Sequence, residues 1–510
     1  MNLNVKILEN EYWYGFRVED CTHYPLHAGS DYDCYQSTEN YSTNQEAPFL
    51  LSSKGRYIYC ERAFDLHVKN GEIIADQCDG EPRLYEGFEN LRGAFCAAAK
   101  RHFPADGKVP PKEFFTQPQY NTWIELNYHQ NQADVLRYAQ GILDNGLPPG
   151  ILMIDDNWDY YYGKWEFDPQ TFPDPRGMVD KLHEMGFSVM LWVCPFISPD
   201  SVEFRYLEQR GCLLKGSNGK ANIRRWWNGN SAVLDLTNPE AVAWMRAQLD
   251  RLMEAYHIDG FKFDAGDVKF CKAEDVFFDQ SVPLQGQCTL WAKLGSNYAY
   301  NEFRACFGAQ GLPLVQRLSD KRHRWEGGVD LLVPSALTQS ILGYPFGCPD
   351  MIGGGDYEDF KTGNETVDEE LFVRYAQCAA LMPMMQYSAA PWRILSPENA
   401  QRCIDAGKIH ERWAERIYEL ACEAGTTGEP IIRYMEYVFP GEGMECVTDQ
   451  FMVGDTLLVA PVLEKGKRER DVVFPAGTWK GSDGKVFSGP GKRRVQASLD
   501  TLPFFEKINA

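Results

Sequence analysis

From Val5 to about Ala99 the chain runs in short alternating pieces, such as GRYIYCERAFDLHVKNGEIIAD, broken by Gly, Asn and Asp at hairpin spacing. This pattern predicts an all-β segment. Residues 103–118, FPADGKVPPKEFFTQP, hold four prolines and cannot continue a sheet, which puts a boundary near Pro111. Beyond it, apolar strands alternate with helical stretches: GILMIDDNW, PRGMVDKLHEMG, FSVMLWVCPF, PEAVAWMRAQLDRLMEAYH and IDGFKFDAGD. Units of this length build a parallel sheet, either closed into a barrel or doubly wound. The rhythm persists to LFVRYAQCAALMPMMQ and a helix over 399–424. After GTTGEP the chain returns to strands in DTLLVAPVLE, RDVVFPAGTWK and RRVQASLD, so a β domain closes it.

Composition narrows the functional classes. With 510 residues, 44% hydrophobic, 13% aromatic and 24% charged, the chain is globular and long enough for several domains. A net charge of −21 repels phosphate backbones and anionic headgroups, so neither nucleic acid nor a membrane is expected as a partner. KGKRERD at 465–471 alternates in charge and reads as a solvated turn. The amino terminus, MNLNVKILENEYWYG, has no basic leader and no apolar run of roughly 7 to 15 residues, which points to the cytoplasm. Fifteen cysteines without a CxxC pair suggest reduced, mostly buried thiols rather than a zinc site or a disulfide framework. No GxGxxG follows a strand and no GxxxxGK[ST] occurs, so nucleotide binding lacks its signature. A symmetric homo-oligomer is the default expectation for such a chain.

Candidate chemistry lies where apolar runs stop. Asp155, Asp156, Cys194 and Asp264 each follow a strand, and in a barrel those carboxyl ends converge on one face. A carboxylate directly after FKF is costly unless paired or functional, so Asp264 is the first candidate. Its neighbours Asp259 and Asp267 have bland readings as a helix cap or a partner for Lys262. Glycoside hydrolysis needs a second carboxyl group, about 5 to 5.5 Å from the first when configuration is retained. Asp320 in LVQRLSDKRHRW offers one in a strongly basic setting, with Asp330 as its competitor. The alternative without catalysis is a carbohydrate-binding protein on a decayed barrel, which predicts stacking aromatics but no convergent carboxylates.

These blocks, together with WIELNYHQNQ, FPDPRGMVDKLHEMG, VLDLTNPEAVAWM, GYPFGCPDMIGGG, GEPIIRYMEYVFP and DQFMVGDTLLVAPVLEKG, resemble glycoside hydrolase family 31 over about 110–475. The resemblance implies a (β/α)8 TIM barrel at 111–424 between an N-terminal β-sandwich at 1–110 and a C-terminal β-sandwich domain at 425–510. It implies exo-acting, retaining α-glycosidase chemistry without a metal or organic cofactor. FKFDAGD is similar to the branch holding the myogenesis-regulating glycosidase and bacterial α-galactosidases, rather than to the WxDMNE of typical α-glucosidases. Carried over residue by residue, the resemblance makes Asp264 the nucleophile and favours Asp320, 56 residues later, over Asp330 as acid/base. Asp155 or Asp156 matches the acidic position that holds sugar hydroxyls. Arg317 matches the arginine before the acid/base, Trp227 a pocket wall and Asp350 the aspartate of a DIGG-like segment. Trp158, Trp192 and Lys262 complete the expected pocket. Cys194 and Ser388 stand where α-glucosidases carry an aspartate and a histidine, which shifts the expected substrate toward small α-galactosides. Glucosides, xylosides, sulfoquinovosides and transglycosylation remain open, and a sulfonate would call on Arg224, Arg225 or Lys262.

Overall fold

The computed structural model describes residues 2–37, 40–360 and 367–509. Eight parallel strands form its centre: β1 Gln119–Asn121, β2 Ile151–Ile154, β3 Ser188–Val193, β4 Gly260–Phe263, β5 Tyr300–Phe303, β6 Gln316–Arg317, β7 Gly347–Cys348 and β8 Gln386–Tyr387. From β1 to β7 each pairs with the next in chain order, and β8 pairs with β1. Between β7 and β8 the closure is a parallel bridge from Met351 to Gln386, with Ile352 N–H donating to the Gln386 carbonyl at 2.8 Å. The sheet is therefore a barrel, not a doubly wound sheet.

Helices over Gln132–Asp144, Pro175–Glu184 and Pro239–Tyr256 wrap the first half, each started by an Asn or Asp side chain that accepts a first-turn N–H. Proline follows the cap in the latter two, where its missing N–H costs nothing. The 31-residue helix Pro397–Thr427 contains the expected 399–424 stretch and ends at Gly428 in a left-handed cap. Between β5 and β6 there is no helix. The strand Cys306–Phe307 instead joins the edge of an amino-terminal sheet, pairing parallel to Gln45–Ser52.

That sheet and a four-stranded one, Leu3–Lys6, Glu72–Asp76, Asp65–Lys69 and Tyr32–Tyr35, share a core of Trp13, Phe16, Leu50, Ile58, Leu66 and Ile73. The expectation of β structure throughout to Ala99 fails at Leu91–His102, which is helical. Its apolar residues 91, 94, 95, 98 and 99 follow helical spacing, the segment is rich in alanine, and Asn90 caps it. Ahead of Asp320 the strand is only two residues, Gln316–Arg317. At the carboxyl end six strands connect into one antiparallel sheet around Phe474, Trp479 and Phe505. Eleven of the fifteen cysteines are buried and all are free thiols. Among the described residues no helix is long and apolar enough to cross a membrane.

Candidate active site

Strand β4 sets the site. Its alternation sends Phe263 outward against Trp291 and Phe303, and Lys262 into the barrel beside Trp192 of β3 and Glu302 of β5. Lys262 Nζ lies 2.6 Å from Asp155 Oδ2 at the end of β2, both side chains almost wholly buried. Lys262 thus pairs with Asp155 and not with its own neighbours. Asp259 instead accepts from Val189 N–H at 2.7 Å and meets His183 at 2.8 Å, a structural role.

Asp264 extends the β4 ladder by donating its N–H to Val193 O at 2.9 Å. The chain then turns through Ala265 in the left-handed region, φ +57°, and Ala265 N–H returns to Asp264 Oδ1 at 2.8 Å. Gly266 serves close packing: a Cβ there would sit 2.2 Å from the Trp291 ring. Arg304, directly after β5, donates from Nε to Asp264 Oδ1 at 3.0 Å and grips Asp267 with both terminal nitrogens at 2.9 and 2.8 Å. Trp192 Nε1 donates to Asp264 Oδ2 at 3.0 Å. Burial alone would push this carboxyl up. The charges of Arg304, Lys262 and Arg317 and the Trp192 bond outweigh it and hold Asp264 well below the usual carboxylate range.

Arg317 ends β6 fully buried. Its Nη1 donates to Asp320 Oδ1 at 2.8 Å and to Asp350 Oδ1 at 2.7 Å. Asp350 also accepts from the N–H groups of Met351, Lys321 and Gly355, and burial raises its pKa to about 6 against the pull of Arg317. Asp320 is the accessible member, its side chain 40% exposed. Asp156 accepts from Asn157 N–H at 2.8 Å, from Tyr162 Oη at 3.0 Å and from Asn228 Nδ2. Burial, with Asp159 and Asp155 nearby, pushes its pKa up.

A single cavity of about 290 Å³ gathers Asp155, Asp156, Trp192, Trp227, Lys262, Asp264, Arg317 and Asp320. That is the small end of ligand pockets, which start at roughly 300 Å³. Three expected residues lie outside it. Trp158 is buried behind the wall, donating to Trp192 O at 2.8 Å and packing on Phe167. Cys194 is fully buried and burial keeps its thiol neutral. Asp350 is covered by the Arg317 network. Ser388 is likewise buried, its hydroxyl taken by Ile124 N–H at 2.7 Å. Asp330 borders a different cavity near Asp449 and Arg470, away from Asp264. Arg224 pairs with Asp275, and Arg225 is exposed; neither lines the central cavity.

The cavity also uses Arg304, Trp123, Tyr357 and Thr43, which sequence reasoning did not single out. Arg304 obeys the strand-end rule, but its strand, YNEF, reads as polar. Trp123 donates to Gly355 O at 3.0 Å and meets Tyr357 edge-on, while Trp227, 44% exposed, packs beside the Arg304 guanidinium. Among the described residues no cluster of three His, Cys, Asp or Glu side chains is placed to hold a metal.

Comparison with known proteins fits this barrel. The glycosyl hydrolases family 31 TIM-barrel domain matches residues 110–418, and the C-terminal domain of that family matches 428–510. The chain belongs to glycosyl hydrolase family 31. It is 36% identical over 400 residues to the myogenesis-regulating glycosidase of Mus musculus, covering 76% of this chain and 55% of that protein. It is 26% identical over 474 residues to alpha-xylosidase XylQ of Lactiplantibacillus pentosus, covering 87% and 60%. This family 31 chain thus spans little more than half the length of those relatives. A GH31 dextranase of Flavobacterium johnsoniae solved with glucose superposes with a TM-score of 0.88 at 20% identity, covering 99% of this chain and 66% of that one, a likeness of fold alone.

Proposed function

We propose that this chain is an exo-acting, retaining α-glycosidase working by double displacement, with Asp264 as nucleophile and Asp320 as acid/base. The observation that carries the reading is one small cavity where, among several carboxyl groups, Asp264 is gripped and held ionised and Asp320 is accessible. Asp264 Oδ1 receives Arg304 and Ala265 N–H, whereas Oδ2 receives Trp192 alone and keeps a lone pair for the anomeric carbon. As Oδ2 attacks, the Asp320 proton passes to the departing glycosidic oxygen. Asp320 then takes a proton from water, whose oxygen attacks the same carbon and releases Asp264. Two convergent carboxylates speak against a purely sugar-binding protein.

For the glycone, α-galactosides are the first choice because the positions of Cys194 and Ser388, polar sugar contacts in typical α-glucosidases, are turned away from the cavity. Asp156, Lys262 and Trp192 present a different buried polar set, and such sets discriminate between hydroxyl epimers by several kcal/mol. The likeness to an α-xylosidase supports α-xylosides as second choice. A panel of aryl α-galactoside, glucoside, xyloside, N-acetylgalactosaminide and sulfoquinovoside, run with wild type and Asp264→Asn, tests both levels. Hydrolysis of one glycone, abolished in the variant, is expected. Equal activity in the two proteins removes Asp264 as nucleophile.

A further inference from the structure

We propose that Asn44, from the amino-terminal β domain, is a positioning residue for the acid/base Asp320. This rests on the retaining α-glycosidase reading above. The segment around Asp320 needs outside support. Strand β6 is two residues long, its ladder ends at Leu318 N–H to Cys348 O, 2.9 Å, and residues 319–322 have no regular structure.

Each neighbour of Asp320 is held by a side chain. On one flank Lys321 N–H donates to Asp350 Oδ2 at 2.6 Å. On the other, Asn44 makes two bonds to Ser319: its Oδ1 accepts from Ser319 N–H at 2.7 Å, and its Nδ2 donates to Ser319 Oγ at 2.8 Å. Asn44 is buried yet does not line the cavity, so it acts on the chemistry through Ser319.

Asn44 is itself fixed. Its Nδ2 also donates to Glu19 Oε1 at 3.1 Å, and the same carboxylate gathers Ser42 and Thr43 by their hydroxyls at 2.9 and 3.1 Å. Cys306 N–H donates to Asn44 O at 3.2 Å, where the amino-terminal sheet receives the β5–β6 connection. Thr43 O accepts from Arg304 Nη1 at 2.7 Å, so adjacent residues of one loop support the grips on both carboxyl groups. Without Asn44, Asp320 keeps its tie to Arg317, and Lys321 Nζ still donates to Ser319 O at 3.1 Å, but the Ser319 N–H and hydroxyl directly before the acid lose their partner.

Proton donation matters in proportion to how poor the leaving group is, which gives a readout that general damage does not mimic. General acid catalysis contributes roughly 10² to 10⁴-fold. Asn44→Ala is therefore expected to lose about tenfold or more in kcat/KM on an unactivated disaccharide and less than about threefold on the dinitrophenyl glycoside of the same sugar. Glu19→Gln, which leaves Asn44 in place but loosens its anchor, should show the same leaving-group trend at smaller size. Equal loss on both substrates, or none on either, overturns the positioning role while leaving an active wild type as a glycosidase. A wild type that cleaves no α-glycoside overturns both readings.

Discussion

Replacing Arg304 by Gln removes the cation nearest the proposed nucleophile. Arg304 Nε stands 3.0 Å from Asp264 Oδ1 in a site where both side chains are about nine-tenths buried, so the charge is poorly screened. An adjacent guanidinium depresses an aspartate by about 1 to 3 pKa units, or roughly 1.4 to 4 kcal/mol. Lys262 and Arg317 remain, so Asp264 should rise into or slightly above the ordinary carboxylate range rather than become neutral at pH 7. The acid limb of kcat/KM follows ionisation of the free enzyme's nucleophile; with the wild-type limb below the usual carboxylate range, the variant's limb should move up into a profile taken from pH 3 to 8. Stability falls as well. A depressed carboxylate stabilises the fold above its unfolded pKa and loses that contribution as pH drops through its folded pKa, so weakening the depression costs stability at neutral pH. Asp267, fully buried, also loses its two-pronged partner, at about 3 to 5 kcal/mol. Asp267→Asn in the same protein removes that stranded charge and should recover much of the stability, while the acid limb stays displaced. An acid limb identical to wild type in the folded single or double variant refutes the assignment of Arg304 as the group that keeps Asp264 ionised.

Two further perturbations read the buried charges. Lys262→Met strands Asp155 and should cost about 3 to 5 kcal/mol by urea unfolding, much of it recovered in Lys262→Met with Asp155→Asn; a loss below 1 kcal/mol in the single variant contradicts the pairing. Glu46 is buried with one oxygen on Asn40 and the other without a hydrogen-bond partner among the described residues, and burial raises its pKa to about 8. Its folded pKa lies above the unfolded value, so stability is fullest below about pH 4.5 and declines as pH rises to 8; Glu46→Gln should flatten that decline between pH 5 and 9, and parallel slopes contradict it.

The strands with apolar runs announced themselves: Ile151–Ile154, Ser188–Val193 and Gly260–Phe263 carry their chemistry at their carboxyl ends, where a parallel barrel exposes it. Arg317 and Asp320 were legible together because they stand three positions apart. Other parts resist periodicity. Strands β6 to β8 are two residues each, too short for an alternation to show. Strand β5 buries two polar residues, Asn301 bonding the Tyr298 and Pro313 carbonyls and Glu302, inside the barrel, accepting from Gln386 at 2.7 Å, so Arg304 has no apolar run in front of it. Thr43 and Asn44 lie in a polar loop far ahead of the barrel, and only the pairing of Gln45–Ser52 with Cys306–Phe307 brings them to the site. Trp158 and Cys194 share the strand-end position of true lining residues, but packing turned them into the wall behind.

The covalent intermediate is the central claim, and trapping it is the most direct test. Wild type incubated with a 5-fluoro α-glycosyl fluoride of the preferred sugar, then digested and sequenced by mass spectrometry, should carry one glycosyl ester on Asp264, and Asp320→Ala should still form it. An ester on another carboxylate, or turnover that releases the inverted anomer with no ester at all, would contradict the mechanism.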